Sequence, residues 1–160
     1  MVGAYFLDQY AYMAHIQDHN VCTQCDRHFD SADNLYQHNL AHRSLDYECL
    51  KCDRGFKTYG GMIIHLESGC CSDVDRDTLN TLAAECNRSD GFILSEYEDN
   101  LLDGDLEYYH GKVNPYYCPT CGTEVPRLSS LFQHVESRAC SQTLDDGVMG
   151  TLCRYLANYV

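Results

Sequence analysis

The chain is 160 residues long, 44% hydrophobic, and carries a formal charge of −13 from 24 acidic and 11 basic side chains. No stretch approaches the ~18 apolar residues of a membrane span, and residues 1–8 lack the basic start and unbroken apolar run of a secretory leader. The eleven cysteines are odd in number and occur in His-associated sets, which argues against a secreted disulfide scaffold and for a reducing compartment in which thiols serve as metal ligands.

In chain order, residues 1–19 form an N-terminal segment whose run from Tyr5 to His15 reads as a short helix. Then a Cys-x2-Cys pair followed by His after a twelve-residue spacer occurs three times: Cys22/Cys25/His38, Cys49/Cys52/His65 and Cys118/Cys121/His134. That spacing places two thiolates on the knuckle of a short hairpin and an imidazole on the following helix, the arrangement of a closed tetrahedral zinc site. Segments of about 25 residues bury too little apolar surface to fold alone, so the expected fold class is small α+β zinc modules. Three ββα fingers are predicted, the last two each followed by an amphipathic helix.

The first module, residues 20–45, completes its set with His42, one helical turn after His38, so that both imidazoles share a face. Phe29 and Leu35 are the expected miniature core, and Asp30 or Ser31 the expected N-cap. Residues 20–42 resemble the Cys2His2 zinc-finger family closely.

The second module, residues 46–88, ends its ligand set with either Cys70 or Cys71. A shift of 69 residues superposes Cys49, Cys52 and His65 on Cys118, Cys121 and His134. The same shift carries Glu67-Ser68 onto Glu136-Ser137 and Cys71 onto Cys140, while Cys70 falls on Ala139. The register therefore selects Cys71 and Cys140 as fourth ligands. A His-x5-Cys spacing does not fit one helical face, so the helix should stop near Gly69 and let the chain fold back. Past the ligands, Leu79, Leu82, Ala83 and Cys86 form an apolar stripe, echoed by Val148, Leu152, Tyr155, Leu156 and Tyr159 in the third module, residues 115–160. Asp73, Asp75 and Asp77 precede the first of these helices and Asp145 and Asp146 the second, as helix N-termini favour. Residues 89–114 read as an acidic linker, with docking on a partner or back on the fingers as the alternative.

The runs His-Leu-Glu-Ser-Gly-x-Cys at 65–71 and His-Val-Glu-Ser-x-x-Cys at 134–140 resemble a group of fungal Cys2His2-type finger proteins, in which a regular first finger is joined to Cys2HisCys-like fingers. The resemblance implies three zinc ions and, by analogy, a nuclear role linked to nucleic acid. The twelve expected ligands are Cys22, Cys25, His38 and His42; Cys49, Cys52, His65 and Cys71; and Cys118, Cys121, His134 and Cys140.

In Cys2His2 fingers, bases are read from positions seven, five, four and one before the first ligand His. These are Ser31, Asp33, Asn34 and Gln37 in finger 1; Thr58, Gly60, Gly61 and Ile64 in finger 2; and Arg127, Ser129, Ser130 and Gln133 in finger 3. Asn34 or Gln37 suits adenine and Arg127 suits guanine, whereas finger 2 offers a base almost nothing. The linker His42–Tyr47 departs from the Thr-Gly-Glu-Lys-Pro type that sets tandem fingers in one groove. Two zinc sites with three thiolates each add about −2 to the charge. The reading therefore favours a nuclear regulator, with the cytoplasm as alternative location, acting mainly through protein contacts. The alternative is a DNA-binding transcription regulator using finger 1, with finger 3 as second reader. The apolar face of finger 2 (Tyr59, Gly60, Gly61, Ile63, Ile64) is either an external interface or, with Phe132, an internal one. Four ligands per ion leave no open coordination position, so neither an enzyme nor a small-molecule substrate is expected, and no membrane partner is. His15, His19, His28 and His110 lack ligand spacing and read as surface residues, Cys86 as a buried small residue, and Cys70 and Cys153 as spare thiols.

Overall fold

Residues 8–71, 73–106 and 113–160 are described by a computed structural model, which divides into two units, residues 1–44 and 45–160. Residues 5–7 of the expected N-terminal helix, the 107–112 part of the acidic segment and His110 lie outside the described residues.

The first unit begins with α1 (Gln9–Asp18), N-capped by Asp8, whose Oδ1 accepts from the Ala11 amide at 2.7 Å. The helix ends in a Schellman turn: Asn20 adopts a left-handed φ of 46° and the Val21 amide donates to the Ile16 carbonyl at 3.1 Å, with buried Val21 as the following apolar contact. Helix α1 itself buries no residue. A single antiparallel bridge, Val21 with His28, stands for the finger hairpin. Helix α2 (Ala32–Asn39) is capped by Ser31, not Asp30, through a 3.1 Å bond from the Asn34 amide. A 3-10 turn over Leu40–His42 continues it. Phe29 and Leu35 are half-buried, and the Phe29 ring lies 4.6 Å from that of His38.

The second unit is built on the duplication. Strands β1 (Tyr47–Glu48) and β2 (Gly55–Phe56) pair Tyr47 with Phe56 and Glu48 with Gly55, and β3 (Tyr116–Tyr117) and β4 (Glu124–Val125) pair Tyr116 with Val125 and Tyr117 with Glu124. Every partner is displaced by the 69 residues of the sequence register. Helix α3 (Tyr59–Glu67) follows the first hairpin and α6 (Leu128–Val135) the second. The trailing helices are α4 (Arg76–Glu85) and α7 (Gly147–Tyr159). Asp75 caps α4 through the Thr78 amide and hydroxyl at 2.9 and 2.8 Å, bonds that hold its carboxyl below the usual range. Asp146 sits at the N-cap of α7 but makes no side-chain cap.

Helices α3 and α6 pack against each other, and α4 touches α7. Met62, Ile63, Leu66, Leu79, Leu128, Leu131, Phe132, Met149, Leu152 and Leu156 are at most 1% exposed in the shared core. The internal alternative for finger 2 is the one adopted: Tyr59, Gly60 and Ile63 are buried, and only Ile64 stays open at 43%. Closeness there is extreme, since a Cβ on Gly60 would lie 2.9 Å from Gln133 Cγ and 3.0 Å from the Gln133 backbone nitrogen.

Two expectations need correction. Residues 89–106 are not a solvated linker. Phe92, Ile93 and Leu101 are buried, helix α5 (Glu98–Asp103) packs on α4, and Ile93 bridges to Tyr116 beside β3. The Tyr117 amide donates to the Phe92 carbonyl and the Leu94 amide to that of Pro115, both at 2.9 Å. Phe92, Ile93 and Leu101 are thus edge-strand and helix anchors, while Leu102 (40% exposed) and most of the charged neighbours face water. The stripe of α7 keeps Leu152 and Leu156, with Val148 and Tyr155 packed partly buried on the core, but it gains Met149 and loses Tyr159. Met149, Leu152 and Leu156 point inward, whereas Tyr159 is 63% exposed. Val148 instead lies over Gly91, where a Cβ would come within 2.8 Å of it, so the folded-back acidic segment accounts for that side of the helix.

Candidate metal centres

Each centre combines a hairpin knuckle with one helix. In the first, the Asp26 amide bonds the Cys22 carbonyl and the Cys22 amide bonds the Arg27 carbonyl, both at 2.8 Å. Asp26 takes a left-handed φ of 56°, a conformation that lets the knuckle turn within two residues of the second thiol. The third centre makes the same turn with Gly122 at φ 71°. In all three, the ligand atoms of the four expected residues lie within 4.8 Å of one another: Cys22/Cys25/His38/His42, Cys49/Cys52/His65/Cys71 and Cys118/Cys121/His134/Cys140.

The distances fit one tetrahedral ion per set. Zn–S near ~2.3 Å and Zn–N near ~2.0 Å put the ligand atoms roughly 3.3–3.8 Å apart. The Cys49–Cys71, Cys52–Cys71 and Cys118–Cys140 sulfurs are each 3.6 Å apart, and Cys52 Sγ is 3.6 Å from His65 Nε2. The other resolved edges, Cys25–His38, His38–His42, His65–Cys71 and Cys121–His134, span 3.0–3.2 Å. All eleven cysteines are free thiols. In every set the first sulfur is buried and the second exposed; Cys71 is buried as well, and the remaining ligands are half-buried.

Local chemistry favours the ligating forms at several positions. Burial works against the Cys22 thiolate, but backbone amides of Gln24 and Cys25 outweigh it and bring the thiol down. Cys49 is brought down likewise by Lys51 and Cys52. A Thr123 hydroxyl and amide draw the exposed Cys121 down to about 6. Burial, and then the adjacent thiols Cys52 and Cys49, push Cys71 up to about 12; a bound cation removes that penalty by supplying the missing positive charge. Burial and the neighbouring His42 keep His38 below its ordinary value, hence neutral and able to donate a lone pair.

Cys70 stands outside its set: it is exposed, with its Sγ 3.0 Å from the Ser68 hydroxyl oxygen. The turn that ends α3 ahead of both cysteines is the expected one, with Gly69 at φ 67° after the Ser68 C-cap. Cys86 is buried at the C-cap of α4, and Cys153 lies beside the buried Tyr59 hydroxyl, its thiol raised by burial to about 11.

The Glu-Ser pair shared by both copies has a role that spacing alone does not reveal. Ser68 and Ser137 donate to the carbonyls of the ligands His65 and His134, both at 2.6 Å. The glutamates reach across to the twin. Glu136 accepts from the Tyr59 and Gly60 amides, both at 2.8 Å, while Thr58 takes the Gly61 amide at 3.0 Å, so the first three orphan amides of α3 are satisfied. Reciprocally, Glu67 accepts from the Ser129 amide at 2.9 Å and the Ser129 hydroxyl at 2.6 Å, capping α6, whose own N-cap residue Arg127 makes no side-chain bond. A carboxylate at each helix N-terminus also complements the dipole. The signature therefore encodes four jobs in sequence: ligand, core residue, cap for the twin, and cap for the ligand's own carbonyl.

The family model described as Zinc finger, C2H2 type matches residues 21–42, while no curated protein and no solved structure matches the chain. Together with the three Cys/His cages, this defines a zinc-binding finger protein with three zinc sites. No helix among the described residues is long and apolar enough to cross a membrane.

Proposed function

We propose that this finger protein is a non-catalytic nuclear regulator acting mainly through protein contacts, with one Cys2His2 finger and two Cys2HisCys fingers of the fungal type. The observation that carries the reading is the face-to-face packing of α3 and α6. Gly60 and Ser129, which occupy base-facing positions in fingers 2 and 3, are buried and engaged by the opposite glutamates. A helix whose leading face is sealed by its twin does not enter a major groove with that face. Residues 45–160 also hold 19 acidic and 9 basic side chains, so phosphates find no concentrated positive surface.

The second reading, DNA recognition, is supported at finger 1. Its helix α2 keeps Asp33, Asn34 and Gln37 exposed, and the family match falls on this finger. Finger 3 contributes less than its sequence suggests, because Ser129 is engaged internally and only Arg127 and Gln133 remain exposed. A salt series of the full chain against mixed double-stranded DNA, read by fluorescence anisotropy, separates the two. Protein-based action predicts weak binding with a shallow salt slope, and nuclear protein partners that stay bound after nuclease treatment. Tight binding abolished by Asn34→Ala or Arg127→Ala would replace this reading with DNA recognition.

A further inference from the structure

Three histidines with no ligand spacing in the sequence meet in the first unit. His15 and His19 lie one turn apart near the end of α1, and His28 lies on the finger hairpin opposite Val21. The Schellman turn at Asn20 folds the hairpin back so that His15 Nε2 is 3.1 Å from His28 Nε2. The finger's own zinc ligands supply the standard of comparison: His38 and His42 are also one turn apart, with Nε2 atoms 3.0 Å from each other. Ring centroids agree as well, at 4.8 Å for His38–His42, 4.8 Å for His15–His19 and 5.2 Å for His15–His28. Imidazoles sharing one ion stand about 5 Å apart, given Zn–N bonds of ~2.0–2.1 Å. The His19–His28 pair is wider, at 6.4 Å, so the exposed His19 side chain must turn inward on metal binding for its nitrogen to join the other two.

We infer that His15, His19 and His28 form a fourth metal site, for a divalent late-transition ion such as zinc, separate from the three cysteine-containing cages. The donor set contains imidazole only, which suits Zn2+, Ni2+ or Cu2+ and discriminates against Mg2+ and Ca2+. Asp18 and Asp30 border a recess of about 340 Å³ together with His19 and His28, so a carboxylate or water has room to complete the shell. Three protein ligands in an exposed setting make the ion exchangeable, in contrast to the closed cages. The site also has a structural consequence. Helix α1 buries nothing, and a metal bridging it to the hairpin clamps it on the finger by linkage between binding and local order.

The test uses the full chain loaded with three zinc equivalents, titrated with Zn2+ under calorimetry and, in parallel, with Ni2+ under side-chain NMR. Expected are a fourth zinc equivalent, Ni2+ broadening confined to the imidazoles of His15, His19 and His28, and increased amide protection in α1. Because outer-shell changes alone weaken metal sites ~10–100-fold, the double variant His15→Ala/His28→Ala should lose at least about 100-fold in affinity for the fourth ion. Equal uptake by that variant, or no broadening of these rings below millimolar Ni2+, would leave an imidazole–imidazole hydrogen bond and no site. If the variant also loses zinc from finger 1, the Ni2+ map on the unaltered chain still decides.

Discussion

The two units solve the problem of small size in different ways. Residues 1–44 bury only Val21 and Cys22 among their described residues, whereas residues 45–160 gather 23 buried residues into one cluster. The first finger therefore depends on its ion for a shape, as a chain of that length with almost no core must. The second and third fingers use their ions locally but share an apolar interior that neither copy has alone. Duplication turned the helix face that a solitary finger offers to a partner into the seam of a domain. The first finger keeps that face exposed, and with it the capacity to meet something else.

Metal removal should give the largest difference between the units. On chelation, amides of α2 are expected to lose all exchange protection, while those of α4 and α7 around Leu79, Ala83 and Leu152 keep a measurable part. Equal loss everywhere would mean that the apolar seam contributes little without zinc. Ligand substitutions sharpen the contrast. His42→Ala should unfold the first unit, whereas Cys71→Ser should lower zinc stoichiometry by one in native mass spectrometry yet leave α6 and α7 protected. Cys70→Ser should keep all three ions, and the reverse result would move the fourth ligand by one residue.

Smaller effects probe the seam itself. Phe132→Ala removes a fully buried ring and should destabilise residues 45–160 by about 3–5 kcal/mol in denaturant unfolding, with no change in the first unit. Gly60→Ala sets two effects against each other. Alanine favours a helix interior over glycine by ~1 kcal/mol. Overpacking against a neighbouring backbone typically costs ~1–3 kcal/mol. Since part of the obstruction is the Gln133 backbone nitrogen at 3.0 Å, the steric term should win, and a stabilised variant would show that the seam yields readily. Glu136→Gln keeps the size of the cap but removes its charge and one of the two acceptors that the Tyr59 and Gly60 amides use. It should cost about 1 kcal/mol, the scale of a helix cap and dipole contact, and a loss near zero would reduce the cross-repeat bond to mere proximity.

The ligand sets were legible because coordination leaves a rigid trace in spacing: two thiols on a knuckle and an imidazole one helix later admit few alternatives. The displacement of 69 residues likewise separated Cys71 from Cys70, and the geometry groups Cys71 with Cys49, Cys52 and His65. Residues 89–106 were less legible because Phe92, Ile93 and Leu101 are buried by backbone pairing and by contact with α4, neither of which imposes a period on the sequence. The histidine cluster was hidden for a related reason. His15 and His28 are thirteen residues apart on different elements, and one left-handed asparagine turns them towards each other.

By itself the sequence determined the three zinc cages, the duplication and the apolar stripe of α4, since these follow from residue type and short-range spacing. Only the tertiary structure decided that α3 and α6 face one another, that Glu67 and Glu136 cap each other's twin, and that the acidic segment supplies part of the core. Those outcomes depend on long-range complementarity. An apolar face records that it must be covered, but its own residues do not say by what.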